Sequence, residues 1–300
     1  MDKHLEFLAQ KGENRTVLQI LKQELHLSGH EISRLKFSAD GIRVNGRKAY
    51  VNQKAAAGDC IEAVRHEPAV PVSAGDYTEP DIRYEDEDLV IAEKPAGMPS
   101  HPSHGHLEDS LGSALAAHYQ QREQAFVIRP VGRLDQGVSG LILYARNQLA
   151  ASRLNDERQN GTLRKEYLAV VSGVFTAPQG VLDFPLAKTA GRRREVSSLG
   201  RPAVTQYEVL SLCRYMGKDI SLVRVRIETG RTHQIRAHMA AAGHPLLGDG
   251  LYGGDCTRLQ RPALHCTDLV LKQPFTGACI HIQSPLPADL AFLLKEKSPR

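Results

Sequence analysis

The sequence predicts an α+β protein in two parts: a small N-terminal α/β domain at residues 1–66 and a larger domain at 81–300 built on a largely antiparallel mixed sheet. Three observations carry this. Strand-like runs follow one another through the second half with short turns and few helices between them. Helical periodicity is concentrated near the start, at residues 15–37. Between the two parts lies EPAVPVSAGDYTEP, residues 67–80, with three prolines, few large apolar side chains and no periodicity, which reads as a linker. A chain of 300 residues with 41% hydrophobic content can bury a substantial core and has room for two domains.

In the first part Val17, Leu18, Leu21 and Leu25 recur at helical spacing, and Ile32, Leu35 and Phe37 mark a second helix. Leu27-Ser28-Gly29 supplies the break between them. Gly41-Ile42-Arg43-Val44 is strand-like and meets Asn45-Gly46, a strong tight-turn signal, and a further strand is expected at Cys60–Val64. In the second part Glu85–Asp88 reads as a solvated turn before Leu89-Val90-Ile91-Ala92, a strand buried on both faces. Leu107, Leu111, Ala114, Leu115 and Tyr119 mark an amphipathic helix, and Asn147 is placed to cap another. Strands are expected around 167–171, 204–209, 221–228, 264–271 and 279–283. In the third of these Val223, Val225 and Ile227 alternate with Arg224 and Arg226. Thr232 is the expected cap of a helix running to Gly243, a natural stop before Pro245. Lys188–Arg194 reads as a mobile basic loop.

One stretch organises the larger part. Arg129–Asn147, RPVGRLDQGVSGLILYARN, places a carboxylate, Asp135, two residues after Arg133, then a turn with Gly137 and Gly140, then the apolar run Leu141–Ala145. A buried strand entered from a tight loop holds that loop rigid, and a rigid loop can aim a carboxylate. Arg133-Leu134-Asp135 with Ser139-Gly140-Leu141 resembles the catalytic signature of the RluA/RluD-type RNA pseudouridine synthases. Three further blocks agree in the same order. They are Lys94–Met98 with His101-Pro102, then Lys165-Glu166-Tyr167, and then Thr229–Arg236 with Gly243-His244-Pro245 and Gly248-Asp249. The resemblance spans roughly residues 80 to 300, and the N-terminal part resembles the alpha-L RNA-binding module often joined to this family. Where that module usually carries a basic residue early in its second helix, this chain has Gly29-His30-Glu31, with Arg34 and Lys36 further along.

The resemblance implies conversion of uridine to pseudouridine in RNA: ribosomal RNA is favoured and transfer RNA remains the alternative. That reaction breaks the C1′–N1 bond, turns the base and rejoins it through C5. No electrons move in net, so no redox cofactor or metal is expected. A carboxylate must act as nucleophile or base, and Asp135 is the candidate. A guanidinium would keep it charged in a cleft. The resemblance places that arginine at Arg236, and Arg231 is the second choice or a phosphate contact. It makes Tyr167 the tyrosine that stacks on the uracil. A target base in folded RNA must be extruded, and Arg133 could fill the vacated stack. His101 and His104 are expected to line the cleft or contact RNA, and Arg192 and Arg193 to contact phosphate.

Other classes fare worse. His233 and His238, five apart, would point to different helix faces, and no acidic partner sits at ligand spacing, so a metal-dependent hydrolase is disfavoured. Five cysteines with no CxxC pair suggest a reduced interior, and the polar start and lack of a long apolar run suggest a cytoplasmic protein away from membranes. A formal charge of +4 suits a polyanionic partner. The rival reading is an RNA-binding or ribosome-assembly protein with an inactive pocket. Retention of Asp135, Tyr167 and Arg236 together argues against it.

Overall fold

The computed structural model describes residues 2–66, 79–102, 108–124, 126–191 and 193–295. The chain begins with a strand, β1 (Lys3–Leu8), then α1 (Val17–Gln23) and α2 (Gly29–Lys36), then β2 (Ile42–Val44), β3 (Arg47–Lys48) and β4 (Cys60–Arg65). These strands form a sheet in the order β1-β4-β2-β3. Both helices open on capping boxes, Thr16 with Gln19 and Ser28 with Glu31. The acid that stood out at position 31 therefore serves to start α2. The expected turn is present: Asn45 and Gly46 both have positive φ, 53° and 75°, as a two-residue hairpin requires. Ile20, Leu21, Ile32, Leu35, Ile42 and Ile61 pack as one core between helices and sheet. β1 is an element that periodicity missed, because only Leu5 and Phe7 of its inward-facing residues are apolar.

After the expected linker, of which residues 67–78 lie outside the described residues, come β5 (Asp81–Glu85), β6 (Leu89–Lys94), α3 (Leu111–Gln121), β7 (Arg129–Pro130), β8 (Ser139–Ala145) and α4 (Gln148–Gln159). Then follow β9 (Arg164–Ser172), β10 (Gln179–Asp183), β11 (Leu186–Lys188), β12 (Arg194–Val196), β13 (Val204–Tyr215) and β14 (Lys218–Ile227). The chain closes with α5 (Gln234–Ala241), β15 (Leu264–Lys272), β16 (Cys279–Gln283) and α6 (Ala288–Leu293). The main sheet runs β10-β13-β14-β9-β15-β8-β6-β5, with β16 added to β15 and β7 to β8. Among the described residues every pairing is antiparallel except β8 with β15, as a largely antiparallel mixed sheet requires.

β8 is buried along its whole length, at the centre of the largest core. Gly140 is what lets β15 lie against it. Its φ is +113°, and a Cβ there would sit 2.3 Å from the Cys266 carbonyl oxygen. Below this contact His265 is 1% exposed and bridges Ser139 Oγ at 2.9 Å and Ser284 Oγ at 3.0 Å. Burial, helped by the Arg261 charge, pulls its imidazole down to about 4. The unfolded chain then binds one more proton than the folded one between roughly pH 6.5 and 4. Stability from this residue is complete above the upper limit and falls by about 3 kcal/mol as pH drops through the window. Urea midpoints taken across that window should fall less steeply for His265→Gln than for the unaltered protein.

Several expectations need correction. Asp88 is 3% exposed, not solvated: it pairs with Lys3 at 2.7 Å and accepts from Asn147 and Gln273. Lys188 and Arg194, at the two ends of the expected basic loop, pair across β11 and β12. Leu107 lies outside the described residues, and α3 starts after Ser110, whose hydroxyl accepts from the Ser113 N–H. β5, β10–β12 and α6 were not anticipated, being short elements with too few apolar positions to set a period. The two sheets meet through α4, where the Arg153 guanidinium donates to the Leu25 and Pro274 carbonyls and lies 4.4 Å over the Phe275 ring.

Candidate active site

Asp135 sits in the loop between β7 and β8, and that loop is bolted to the segment following β6. Ser100 Oγ donates to the Leu134 carbonyl at 2.7 Å and accepts from its N–H at 3.0 Å. The Gly97 N–H donates to the Gln136 carbonyl at 2.8 Å. Lys94, fully buried, donates to the carbonyls of Pro95, Met98 and Gln136. Burial pulls its ammonium down to about 7, and the Asp135 charge acts in the opposite direction. Two of the sequence blocks thus occur together because one holds the other's carboxylate in place.

α5 brings the counter-charge. Arg236 Nη1 donates to Asp135 Oδ2 at 3.2 Å, and its Nε and Nη2 donate to the two oxygens of Asp249 at 2.6 and 2.7 Å. The guanidinium is oriented by a bidentate pair on one edge and offers the other to Asp135. Burial works against its charge, but Asp249 and then Asp135 outweigh that and hold it above its ordinary range. Tyr252 lies 5.1 Å beneath the same guanidinium, and its ring is also approached by Arg193 at 5.1 Å. Thr232 is not the cap of α5. His233 occupies that position with no capping side-chain bond among the described residues, and the neighbouring Gln234 Oε1 accepts from the Arg231 N–H and the Thr229 hydroxyl. Gly243, at φ +85°, does end the helix.

A cavity of about 780 Å³ opens beside these groups, lined by His101, Arg133, Asp135, Tyr167, Arg231 and Arg236 among others. A second, of about 570 Å³, shares Asp135 in its lining and is bounded by Lys188, Gly191 and Arg194. Asp135, Thr232, His233 and Arg236 line both. The structure therefore brings together every described residue singled out from sequence except Arg193, which reaches the site through Tyr252. Arg192 and His104 lie outside the described residues. Arg133 donates to the Thr232 hydroxyl, Arg231 Nε to the Pro202 carbonyl at 3.0 Å, and His101 Nδ1 is buried without a hydrogen-bond partner among the described residues. Tyr167 is 4% exposed, and burial, with Cys266 and Asp135 nearby, pushes its phenol well above its ordinary range.

Lys94, His233, Asp249 and Tyr252 escaped the sequence reading as site residues. The first three stood inside the quoted blocks, but nothing local marks a buried lysine or aspartate as an anchor. Among the described residues no three His, Cys, Asp or Glu side chains gather as metal ligands. His238 turns away from His233 to the Phe184 carbonyl, 2.8 Å from Nε2. Among the described residues no helix is long and apolar enough to cross a membrane.

Comparison with known proteins identifies the family. The family model for RNA pseudouridylate synthase matches residues 88–241. The uncharacterized RNA pseudouridine synthase YhcT of Bacillus subtilis is 34% identical over 95% of this chain and 94% of its own. The ribosomal large subunit pseudouridine synthase D of Escherichia coli is 35% identical over 72% of this chain and 69% of its own. Among solved structures, human RNA pseudouridylate synthase domain containing 1 superposes with a TM-score of 0.59 at 25% identity, covering 71% of this chain and 86% of that one.

Proposed function

The chain belongs to the RNA pseudouridylate synthase family, of the RluA/RluD type, and is an isomerase converting uridine in RNA to pseudouridine; from that premise we propose that Asp135 is its catalytic carboxylate and large-subunit ribosomal RNA its substrate. The observation that carries the first half is the Asp135–Arg236–Asp249 chain at the mouth of the cavity. Isomerisation exchanges the C1′–N1 bond for C1′–C5 and a C5 proton for one on N1. It calls for a charged oxygen beside the ribose, room for the base to turn, and an outlet for one proton. Arg236 supplies the counter-charge beside Asp135 and aims it by a hydrogen bond. Tyr167 forms the wall against which the uracil stacks, and Arg133, on the rim, enters the helix in place of the extruded base. Arg231, Arg192 and Arg193 contact phosphate, with His101 against the bound nucleotide.

The ribosomal assignment draws support from relatives named for the large subunit in Haemophilus influenzae and Escherichia coli, at 34% and 35% identity. We read residues 1–66 as an RNA-binding module, joined through 67–80 to a catalytic domain at 81–300. A groove of about 330 Å³ between α2 and α4, lined by His30, Arg34, Arg65 and Arg129, supports this, since it opens near the cavity that holds Asp135. Tritium release from C5-labelled RNA tests both readings. Unmodified large-subunit RNA should release tritium and transfer RNA should not. Arg34→Glu should raise KM on the ribosomal RNA and lower the salt slope of binding by about one. Equal turnover of transfer RNA would move the substrate assignment, and an unchanged salt slope would remove Arg34 from the RNA track.

A further inference from the structure

We infer that His233 is the general base of this reaction, its Nε2 taking the proton that leaves C5 of the rotated uracil; the inference rests on the reading of Asp135 as catalytic carboxylate. His233 holds the left-handed backbone conformation, φ 57° and ψ 18°, at the cap position just before α5, where glycine would be the unstrained choice and no capping bond is made among the described residues. Its side chain faces both cavities, with Nε2 3.8 Å from Asp135 Oδ2. The ring's other nitrogen, Nδ1, lies 3.2 Å from the Tyr252 hydroxyl. That hydroxyl already accepts from the Arg194 N–H at 2.8 Å and donates its single proton to the Arg194 carbonyl at 3.2 Å. With the hydroxyl proton assigned to the Arg194 carbonyl, Tyr252 accepts from His233; the tautomer our inference takes therefore has its proton on Nδ1 and its lone pair on Nε2.

The surroundings keep the ring neutral and ready. Burial lowers its affinity for a proton, Asp135 and Asp249 raise it, and Arg236 and Arg194 lower it; Lys188 faces the same cavity from the hairpin. Tyr167 is a poor alternative, since its buried phenol ionises far above neutrality. The step balances. Once C5 is bonded to C1′, its C–H pair re-forms the C5=C6 double bond and passes charge to N1. The proton goes to Nε2, N1 takes a proton from water, and the imidazolium returns one to solvent.

His233→Asn is the variant of choice, because asparagine accepts the left-handed conformation. Tritium release should slow by about 10²–10³-fold, the acid limb of the wild-type rate profile, lying below the ordinary imidazole range, should vanish, and RNA deuterated at C5 should acquire a primary isotope effect. On RNA containing 5-fluorouridine, where no C5 proton can leave, cleavage of the C1′–N1 bond should proceed at the wild-type rate. A merely structural role would slow cleavage of the fluorinated base as much as tritium release and leave C5 without an isotope effect. Either result overturns the inference. Asp135→Asn run alongside separates the two readings: it should lose cleavage of the fluorinated base, and if it does not, the carboxylate reading fails and this inference falls with it.

Discussion

Asp135→Asn is expected to lower uridine isomerisation by about four orders of magnitude, the upper range for a group acting directly in proton transfer. The substitution is nearly isosteric, and the loop around it is held by Ser100, Gly97 and Lys94 through main-chain atoms of Leu134 and Gln136, none of which involves the carboxylate. Arg236 retains both bonds to Asp249. Circular dichroism and RNA affinity should therefore stay close to wild type while single-turnover tritium release disappears. Release at more than a tenth of the wild-type rate would mean that another group does the chemistry.

Replacing Arg236 by methionine should be costly in a different way. Asp249 is 1% exposed and has both oxygens on this one guanidinium, so the variant strands a buried carboxylate. Breaking a buried pair from one side costs about 3–5 kcal/mol, most of it the uncompensated charge. Asp135, whose side chain is 20% exposed, can draw on solvent and adds less. The urea midpoint should fall accordingly and activity should be lost at temperatures where the variant is still folded. Adding Asp249→Leu to Arg236→Met should restore much of the stability and none of the activity, since it removes the stranded charge without supplying a partner for Asp135. A double variant no more stable than the single one would show that the pair is not the source of the loss.

The sequence made some parts of this molecule plain and hid others, for physical reasons. Helices α1 and α4, the buried strands β6 and β8 and the Asn45-Gly46 turn announce themselves because burial and backbone geometry demand particular residue types at fixed spacing. β1 and β5 do not, because an edge or half-exposed strand needs only two apolar side chains, and chance supplies that often. Asp135, Tyr167 and Arg236 were legible as members of ordered blocks. Why the blocks recur in that order was not.

The chain alone therefore determined the fold class and the family, and it nominated Asp135 as the candidate carboxylate, since all of these reside in residue type and order. Tertiary structure alone decided that Lys94 pins the loop that carries Asp135, that Asp249 anchors the Arg236 guanidinium, and that His233 Nδ1 meets the Tyr252 hydroxyl. Each of those depends on a distance of a few ångströms between elements far apart in the chain, and on which donor is already spent. Such distances are set by how β8, β15 and α5 pack, where a single glycine facing Cys266 governs how closely two strands may approach.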